Sequence, residues 1–400
     1  MLPTKNNNIF GFAGLLSLAV LFISVDIFGQ NVVSGLVFDS QTGESLSYAT
    51  VYVNGTTNGT ITDKDGHFEL MDVPFPSNVV VSFVGYEPQT LDLLGNPGEL
   101  TIRLKTNNEL PEVEISGKIN KEDLKYFKRM LLGDDRWGRH ATIKNENVLM
   151  FYKSEPSAIE VVGSDGTKHK TDGTIQIFNA WASEPLIIDL PLLGYELYLD
   201  LERFTVEQTS YRTLNSGAQK REASDILGYF YYKSYADKKG KSKARSIEEN
   251  RKEVYYNSSQ HFLRSLYENR LAENGYVLFL FEGVSVTPYE RLNGSSTVLK
   301  PQVNPIDLNS YTSVIDGDKM MIQGLNNKNI SIRYYHKSDG SPLNLNDVDP
   351  TGDYSASGFT PKQDTCIILK EGAVLDNAII FSGDIANKRV GASLPFDYVP

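Results

Sequence analysis

Short apolar segments separated by turn-forming residues fill the chain from Val32 to Lys105, and this pattern restricts the possible fold more than any other. The turns recur at the spacing of about eight to twelve residues that is typical of an all-β sandwich or barrel. Asn54-Gly55 and Asn58-Gly59 predict tight turns within it. The preceding segment alternates as a strand with one buried face does, with Ala49, Val51 and Val53 on one side and Tyr48, Thr50 and Tyr52 on the other.

The stretch GTTNGTITDKDGHFEL, at positions 55–70, has the acidic and glycine content of a calcium loop. A helix-loop-helix calcium loop needs an oxygen ligand at its first position and a bidentate Glu at its last. If Gly66 is the loop's required glycine, Ile61 occupies the first position and Asp72 the last. The calcium loop therefore does not fit, and incidental binding by Asp63 and Asp65 is the alternative that remains.

A β-turn accounts for the same residues better than a calcium loop does. Asp63 at the first position and Gly66 at the fourth are typical of a type I turn, because Asp accepts backbone N–H bonds and Gly tolerates the geometry. After it, His67-Phe68-Glu69-Leu70 alternates, with Phe68 and Leu70 expected to point inward. We predict that TDKDG is the turn of a β-hairpin.

Residues 30–105 resemble the carboxypeptidase regulatory-like domain. The matching residues, in chain order, are Gly35, Ala49-Thr50-Val51, Gly59-Thr60, Thr62-Asp63, Gly66, Phe68 and Val84-Gly85-Tyr86. The resemblance implies a seven-stranded transthyretin-like β-sandwich. The same family stands at the N-terminus of many TonB-dependent outer-membrane transporters, and ELPEVEISG at 109–117 resembles the segment leading into their plug. The chain that follows is too short for their many-stranded barrel, so we do not expect a full transporter.

The peptidase activity suggested by the family's name is not supported by the histidines. Zinc hydrolysis needs three converging protein ligands and an open position for water. The chain has five His, no H-E-x-x-H motif, and two H-x-x-D matches in polar stretches, His169 with Asp172 and His336 with Asp339. We interpret both matches as chance, and expect no metal and no cofactor.

The first residues have the pattern of an export signal. Lys5 precedes an apolar run from Ile9 to about Ile23, and Phe28-Gly29-Gln30 suits cleavage by signal peptidase. The alternative is an uncleaved membrane anchor, since the run is close to the shortest that spans a bilayer. We predict a signal peptide at 1–29 and a location in the periplasm or at the outer membrane.

Charge and cysteine content exclude two further classes. A net charge of −11 argues against a nucleic-acid partner, which needs clustered Lys and Arg. The basic run KKGKSKAR at 238–245 is interpreted as a solvated loop leading into a helix, with an anionic lipid or polyanion site as the alternative. Cys366 is the only cysteine, so no intramolecular disulfide can form, and its apolar neighbours predict a buried, inert thiol.

Beyond a linker at 106–120, residues 121–400 predict a larger β-rich α+β domain. Leu124, Phe127 and Leu131 form the stripe of a short helix that ends at Gly133. A second helix is predicted between an Asn257 or Ser258 cap and Gly275. The clearest strand has Tyr195, Leu197, Leu199 and Leu201 on one side. Other predicted strands are Pro185 to Asp189, Ile226 to Tyr232, Val277 to Phe281, Ile330 to Tyr335 and Cys366 to Leu369.

This domain has no nucleophile elbow, phosphate-binding glycine loop or metal-ligand cluster in its sequence. Its catalytic residues are therefore unknown. His261 is expected to be structural, with a general base as the alternative. Trp137 and Trp181 lie near predicted turns, where they either pack or stack on a sugar.

The order of motifs through the mature chain also resembles a recurring family of exported bacterial envelope proteins that join the sandwich to a β-rich domain of unassigned role. The motifs are Glu184-Pro185-Leu186, Leu193-Gly194-Tyr195, Asn250-Arg251, Tyr256 to Leu266 and Leu394 to Pro400. The sequence favours a non-enzymatic interaction or scaffold module whose partner is an envelope protein or a glycan. The alternatives are a glycan-binding protein and a hydrolase of cell-wall or dietary polysaccharide.

Overall fold

The structure is a computed structural model of the 400-residue chain. The residues it describes are 31–107, 120–162, 168–213, 217–236, 240–282, 300–301, 305–316, 318–349, 352–375 and 378–400. The predicted signal peptide and most of the predicted linker lie outside these ranges. Residues Asn31–Pro400 pack as one unit.

The N-terminal part is a sandwich of a three-stranded and a four-stranded sheet, which confirms the predicted seven strands. Its strands are β1 Val33–Asp39, β2 Thr50–Val53, β3 Gly59–Ile61, β4 His67–Leu70, β5 Ser77–Ser82, β6 Gln89–Leu93 and β7 Glu99–Leu104. The orders are β4-β1-β7 and β3-β2-β5-β6. Strand β1 pairs with β7 in parallel and with β4 antiparallel, so it is the centre of its sheet.

The interior of the sandwich is filled by the apolar side chains that alternation predicts. Val51 and Val53 point into it from β2, and Phe68 and Leu70 from β4. The opposite face of β2 differs from expectation, because Tyr52 is only 1 % exposed. It packs against residues of the following domain, so the prediction of one buried face is wrong for this strand.

The turn predicted at Asp63 forms, but it does not close a hairpin. The Gly66 amide donates to the Asp63 carbonyl oxygen at 3.1 Å, and the Asp63 carboxylate accepts from the amides of Asp65 and His67, each at 2.9 Å. The flanking strands β3 and β4 pair with β2 and β1, which belong to different sheets. The turn therefore carries the chain between the two sheets, a role that turn chemistry alone does not reveal.

In the residues that the structure describes, the β-rich domain combines α-helices with strands in three sheets, as the predicted fold class requires. Its described helices are α1 Lys121–Leu132, α2 Arg136–His140, α3 Lys241–Tyr255, α4 Ser259–Tyr267 and α5 Asp384–Asn387. Its strands are β8 Thr142–Ile143, β9 Leu149–Lys153, β10 Ser157–Val162, β11 Lys168–Ala182, β12 Leu186–Leu190, β13 Tyr195–Thr213, β14 Gly217–Ser234, β15 Tyr276–Glu282, β16 Lys300–Pro301, β17 Thr312–Asp316, β18 Lys319–Gln323, β19 Ile330–Tyr335, β20 Tyr354–Pro361, β21 Thr365–Leu369 and β22 Ile379–Gly383.

The first half of this domain is built on one large sheet, in the order β10-β11-β13-β12-β8, with β9 paired to β11 and β14 paired to β13. Helix α1 packs on it through the buried side chains Phe127 and Leu131, as predicted. The Asn120 side chain caps its start, and Gly133 ends it. The inward side of β13 begins with Tyr195, as alternation predicts.

A second core in the same domain lies between α4 and the sheets β16-β15-β19-β20-β22 and β17-β18-β21. Ser258 caps α4 by accepting from the His261 amide at 3.1 Å. The helix ends at Tyr267, well before Gly275, so its predicted length is wrong. Asn269 has a φ of 56°, a left-handed value that cannot continue the helix.

The remaining sequence-predicted elements differ from the structure mainly at their ends. The predicted strand Ile330 to Tyr335 matches β19 residue for residue, and the segment Ile226 to Tyr232 is part of the much longer β14. The basic run becomes helical at Lys241, where α3 starts. Along α3, Arg245 forms an exposed ion pair with Glu249 at 3.1 Å.

Candidate functional site at the junction of the two domains

The loop Asn54–Gly59 joins the sandwich to the β-rich domain through its backbone. The Gly55 amide donates to the Phe230 carbonyl oxygen at 2.6 Å, and the Phe230 amide donates to the Asn54 side chain at 2.9 Å. The Tyr232 amide donates to the Thr56 carbonyl oxygen at 3.0 Å. The loop therefore continues the hydrogen bonding of β14, where a parallel bridge pairs Thr56 with Tyr231.

The last residues of the chain hold the same loop from the other side. The Phe396 amide donates to the Gly55 carbonyl oxygen at 2.7 Å, and Asp397 accepts from the Thr57 amide at 3.1 Å. Arg264 on α4 fixes this terminal segment by donating to the carbonyl oxygens of Phe396 at 2.6 Å and Tyr398 at 2.8 Å. The terminal motif LPFDYVP, at positions 394–400, therefore holds the Asn54–Gly59 loop in place.

Two glycines make this contact possible. A Cβ atom on Gly55 would lie 2.4 Å from a ring carbon of Phe396, and one on Gly59 would lie 2.5 Å from a ring carbon of Tyr231. Real side chains do not tolerate such approaches. The two Asn-Gly pairs form turns as predicted, and their glycines also let the β-rich domain approach the loop closely.

Beneath the loop, a buried carboxylate connects the two domains. Asp200 on β13 accepts from the Tyr52 hydroxyl at 2.8 Å and from the Ser82 hydroxyl at 3.0 Å. The rings of Tyr52 and Tyr231 stack with centroids 5.1 Å apart. Burial raises the pKa of Asp200, and the two hydroxyl donors oppose that rise by stabilising the ionised form.

Beside this junction, a cleft of about 370 Å³ opens between the domains. We call it the Trp181 cleft, and its defining residues are Phe83, Tyr86, Glu87, Trp181, Glu184 and Glu202. On the sandwich side of the cleft, the Tyr86 side chain is held in place by two contacts. Its hydroxyl donates to Asp39 at 2.6 Å, and its ring packs against that of Phe83 with centroids 5.4 Å apart. The cleft combines aromatic surface with hydrogen-bond acceptors, which is the chemistry of a binding site for a polar, uncharged ligand.

The two tryptophans have different surroundings. Trp137 packs against the core of the β-rich domain, with the Arg136 guanidinium 4.3 Å from its ring centre. Trp181 is half-buried and belongs to none of the core clusters formed by the described residues. Trp181, one of the two candidates, lines the cleft described above.

His261 lies inside the second core. The Tyr276 hydroxyl is 2.8 Å from its Nδ1, and the Asn257 amide donates to the same atom at 3.2 Å. Burial, helped by the positive charges of Lys388 and Arg264, lowers the pKa of His261 to about 3. The neutral ring accepts hydrogen bonds and so links α4 to the turn at Asn257 and to β15 at Tyr276.

The other sequence candidates are dispersed. His336 is exposed with its Nδ1 2.9 Å from the Lys337 carbonyl oxygen, while Asp339 is engaged with Ser341. The side chains of His169 and Asp172 lie outside the described residues. Within the ranges that the structure describes, no three His, Cys, Asp or Glu side chains are grouped as metal ligands.

Cys366 is buried, its sulfur 3.3 Å from the Ala378 carbonyl oxygen, and burial raises the pKa of its thiol. A buried thiol with a raised pKa is a poor nucleophile, as the sequence predicts. The described part of the chain contains no helix with the length and hydropathy needed to cross a membrane.

Sequence reasoning missed the residues of the junction itself. Asp200 stands on the polar side of an alternating strand, where a solvated carboxylate is the usual expectation. The Asn-Gly pattern indicates tight turns at Gly55 and Gly59, but it does not indicate that Phe396 and Tyr231 approach these glycines closely. Only the repeated Asn-Gly pairs around a short Thr-rich loop, together with the apolar terminal motif, could have indicated a contact.

Comparison with known proteins identifies the class of the N-terminal module first. Residues 33–115 match the family model of the CarboxypepD_reg-like domain. The chain therefore contains a carboxypeptidase regulatory-like domain, joined to a larger β-rich domain. A curated relative, the TonB-dependent receptor SusC of Bacteroides thetaiotaomicron, is 35% identical over 157 residues. That match covers 38% of this chain and 15% of the receptor, so the chain spans only a small part of this relative's length.

Solved structures show weaker likeness. A type II cohesin–X-dockerin complex from Acetivibrio cellulolyticus is 20% identical, covering 25% of this chain and 72% of that chain, with a TM-score of 0.17. A structure described as a membrane-associated protein of unknown function from Bacteroides fragilis is 12% identical, covering 52% and 98%, with a TM-score of 0.16. Both TM-scores are too low for either structure to bear on the fold or function of this chain.

Proposed function

We propose that this chain is an exported cell-envelope protein in which the sandwich and the β-rich domain act together as a non-catalytic interaction module. In this proposal residues 1–29 are a cleaved signal peptide, 30–105 the sandwich, 106–120 a linker and 121–400 the β-rich domain. The module meets its partner in the periplasm or at the outer membrane.

The observation that carries the proposal is the junction. A domain tethered only by a linker moves independently, whereas this sandwich is fixed by backbone hydrogen bonds of its Asn54–Gly59 loop and by the buried Tyr52–Asp200 contact. Such a junction is useful to a protein that must present two surfaces in one fixed arrangement.

Two further observations support a location in the cell envelope and a surface that binds a partner. The SusC relative is a TonB-dependent receptor, and the sandwich resembles the module that stands before many TonB-dependent outer-membrane transporters. The sandwich also exposes large apolar side chains at its edge: Tyr48 is 70 % exposed and Ile61 is 52 % exposed. Exposed neighbouring apolar side chains are typical of surfaces that bind other proteins.

Recovery of partners from native envelopes tests this function. The tagged protein is expressed in its own host, the envelope is crosslinked, and captured proteins are identified by mass spectrometry. We expect the mature protein in the envelope fraction, with reproducible partners that are lost when Tyr48 and Ile61 are both changed to Ser. The matched control changes Val399, which is 73 % exposed at the far end of the chain, to Ser and keeps the partners. Cytoplasmic protein, or a partner set unaffected by the double variant, contradicts the proposal.

The alternative function, a glycan hydrolase, requires two carboxyl groups positioned on either side of a glycosidic bond. The Trp181 cleft contains carboxylates, but Asp200 is already held by Tyr52 and Ser82. The glycan-binding alternative has more specific support, because Trp181 lies in that cleft.

A further inference from the structure

The position of Trp181 on its strand is the starting observation. In β11, Phe178 and Ala180 point into the core and are 0 % and 1 % exposed. Successive side chains of a strand point to opposite faces, so Trp181 lies on the outer face of the sheet. That is also the face on which Asp200 contacts the sandwich. The sandwich covers part of this face and leaves the Trp181 cleft at its margin.

A large indole in this position needs an explanation other than core packing. Trp181 is half-buried and belongs to no core cluster of the described residues, whereas Trp137 does pack against one. Large aromatic side chains that do not serve a core are frequently contact surfaces for ligands, because their faces stack on flat apolar groups. The volume of about 370 Å³ falls within the range of about 300–1,000 Å³ that is usual for ligand pockets.

The charges of the cleft select the chemistry of its ligand. Among the described residues that line it, Glu87, Glu184, Asp200 and Glu202 are acidic and none is Lys or Arg. Negative potential disfavours phosphate, sulfated sugars and uronic acids. Ionised carboxylates accept hydrogen bonds only, and the hydroxyl groups of a sugar are matching donors.

We propose that the Trp181 cleft binds a neutral oligosaccharide. One sugar ring stacks its C–H face on the Trp181 indole, between the β-rich domain and the Phe83–Tyr86 wall of the sandwich. Its hydroxyl groups donate to the surrounding carboxylates, Glu184 among them. The site exists only because the two domains are joined, since each contributes one wall. This inference goes beyond partner binding, and it concerns a different surface from Tyr48 and Ile61.

The two tryptophans allow a direct test with the full-length protein. The chain has two Trp, so the Trp137→Phe variant leaves Trp181 as the only indole emitter. Cellohexaose, maltohexaose, mannohexaose and chitohexaose are the neutral probes, and hexagalacturonate is the acidic one. Calorimetry and Trp fluorescence measure binding. We expect at least one neutral probe to bind and to change the emission of Trp181 in the Trp137→Phe variant.

The variants decide whether binding occurs in the cleft. Trp181→Ala should weaken the binding of the neutral probe by at least about tenfold, because it removes a central stacking contact, while Trp137→Phe should leave it unchanged. Glu184→Gln keeps the side-chain shape and one acceptor oxygen, so it should weaken the binding of the neutral probe less than Trp181→Ala does. Trp181→Phe, which preserves an aromatic face, shows whether a loss reflects stacking or misfolding.

The inference is overturned if none of the four neutral probes binds, if Trp181→Ala binds as the wild type does, or if only hexagalacturonate binds. Capture of envelope partners is measured separately. Loss of sugar binding in Trp181→Ala with intact partner capture would show that the two activities are independent. Partner capture that fails while sugar binding persists would contradict only the proposed function.

Discussion

The hydroxyl of Tyr52 lies 2.8 Å from Oδ2 of Asp200, a residue 148 positions further along the chain. This hydrogen bond is buried and joins the sandwich to the central strand of the largest described sheet of the β-rich domain. Tyr52→Phe should therefore lower the free energy of unfolding by about 1–2 kcal/mol, because it leaves the Asp200 carboxylate with one fewer donor in a buried site. Urea denaturation measures this change. The matched control is Tyr48→Phe, whose 70 % exposed ring should leave stability within about 0.5 kcal/mol of the wild type.

The close approach of Gly59 to Tyr231 gives a second prediction. Gly59→Ala places a methyl group where a ring carbon already lies 2.5 Å away, and we expect a loss of about 1–3 kcal/mol in unfolding free energy. Gly95→Ala is the control, because nothing lies within 4 Å of its added Cβ. Limited proteolysis should cut the Asn54–Gly59 loop faster in the first variant only. Equal cleavage of both variants would argue against a docked loop.

Arg264 should decide whether the terminal segment stays in place. Its guanidinium donates to the carbonyl oxygens of Phe396, Tyr398 and Glu371. Arg264→Met leaves these acceptors without their charged donor, so we expect a loss of about 2 kcal/mol or more. Hydrogen–deuterium exchange should show faster exchange at the Phe396 amide. Arg245→Met, at an exposed ion pair, should leave exchange in that segment unchanged.

The fold was predictable to the extent that alternation and turn chemistry act locally. Strand periodicity places Tyr195 and Leu197 on the core side of β13, and the structure agrees. The same periodicity says only that Tyr52 and Asp200 each point to the opposite side of their own strand, away from its core. It does not say what covers that side, because the covering sandwich is specified by residues far away in sequence.

The candidate site was predictable to a smaller extent. Trp137 and Trp181 have similar local surroundings in sequence, each near a turn, and no local pattern distinguishes core packing from a cleft wall. The end of α4 was missed for a related reason, since the apolar spacing continues to Leu271 while the backbone leaves the helix at Asn269. Distant contacts decide both outcomes.

The neutral His261 predicts a specific sensitivity to acid. Its pKa falls from 6.5 to about 3 on folding, so the unfolded chain binds an additional proton between these values. Stability contributed by the neutral ring is complete above pH 6.5 and is lost as the pH falls towards 3. By about pH 4.5 the protonation of this group in the unfolded chain should lower the free energy of unfolding by about 2–3 kcal/mol.

Chemical denaturation at several pH values checks that expectation. The His261→Gln variant lacks the titrating ring, so its unfolding free energy should fall less steeply between neutral pH and pH 4.5 than that of the wild type. His140→Gln, at an exposed position, should follow the wild-type curve. Parallel curves for wild type and His261→Gln would show that His261 is not held neutral.

The fixed junction between the sandwich and the β-rich domain is tested most directly by a double-mutant cycle on Tyr52 and Asp200. Unfolding free energies are measured for the wild type, Tyr52→Phe, Asp200→Ala and the double variant. We predict a coupling energy of about 1–2 kcal/mol between the two positions, as for groups in direct buried contact. Simple additivity of the two substitutions would mean that the domains are not held together at this point, and would contradict the account.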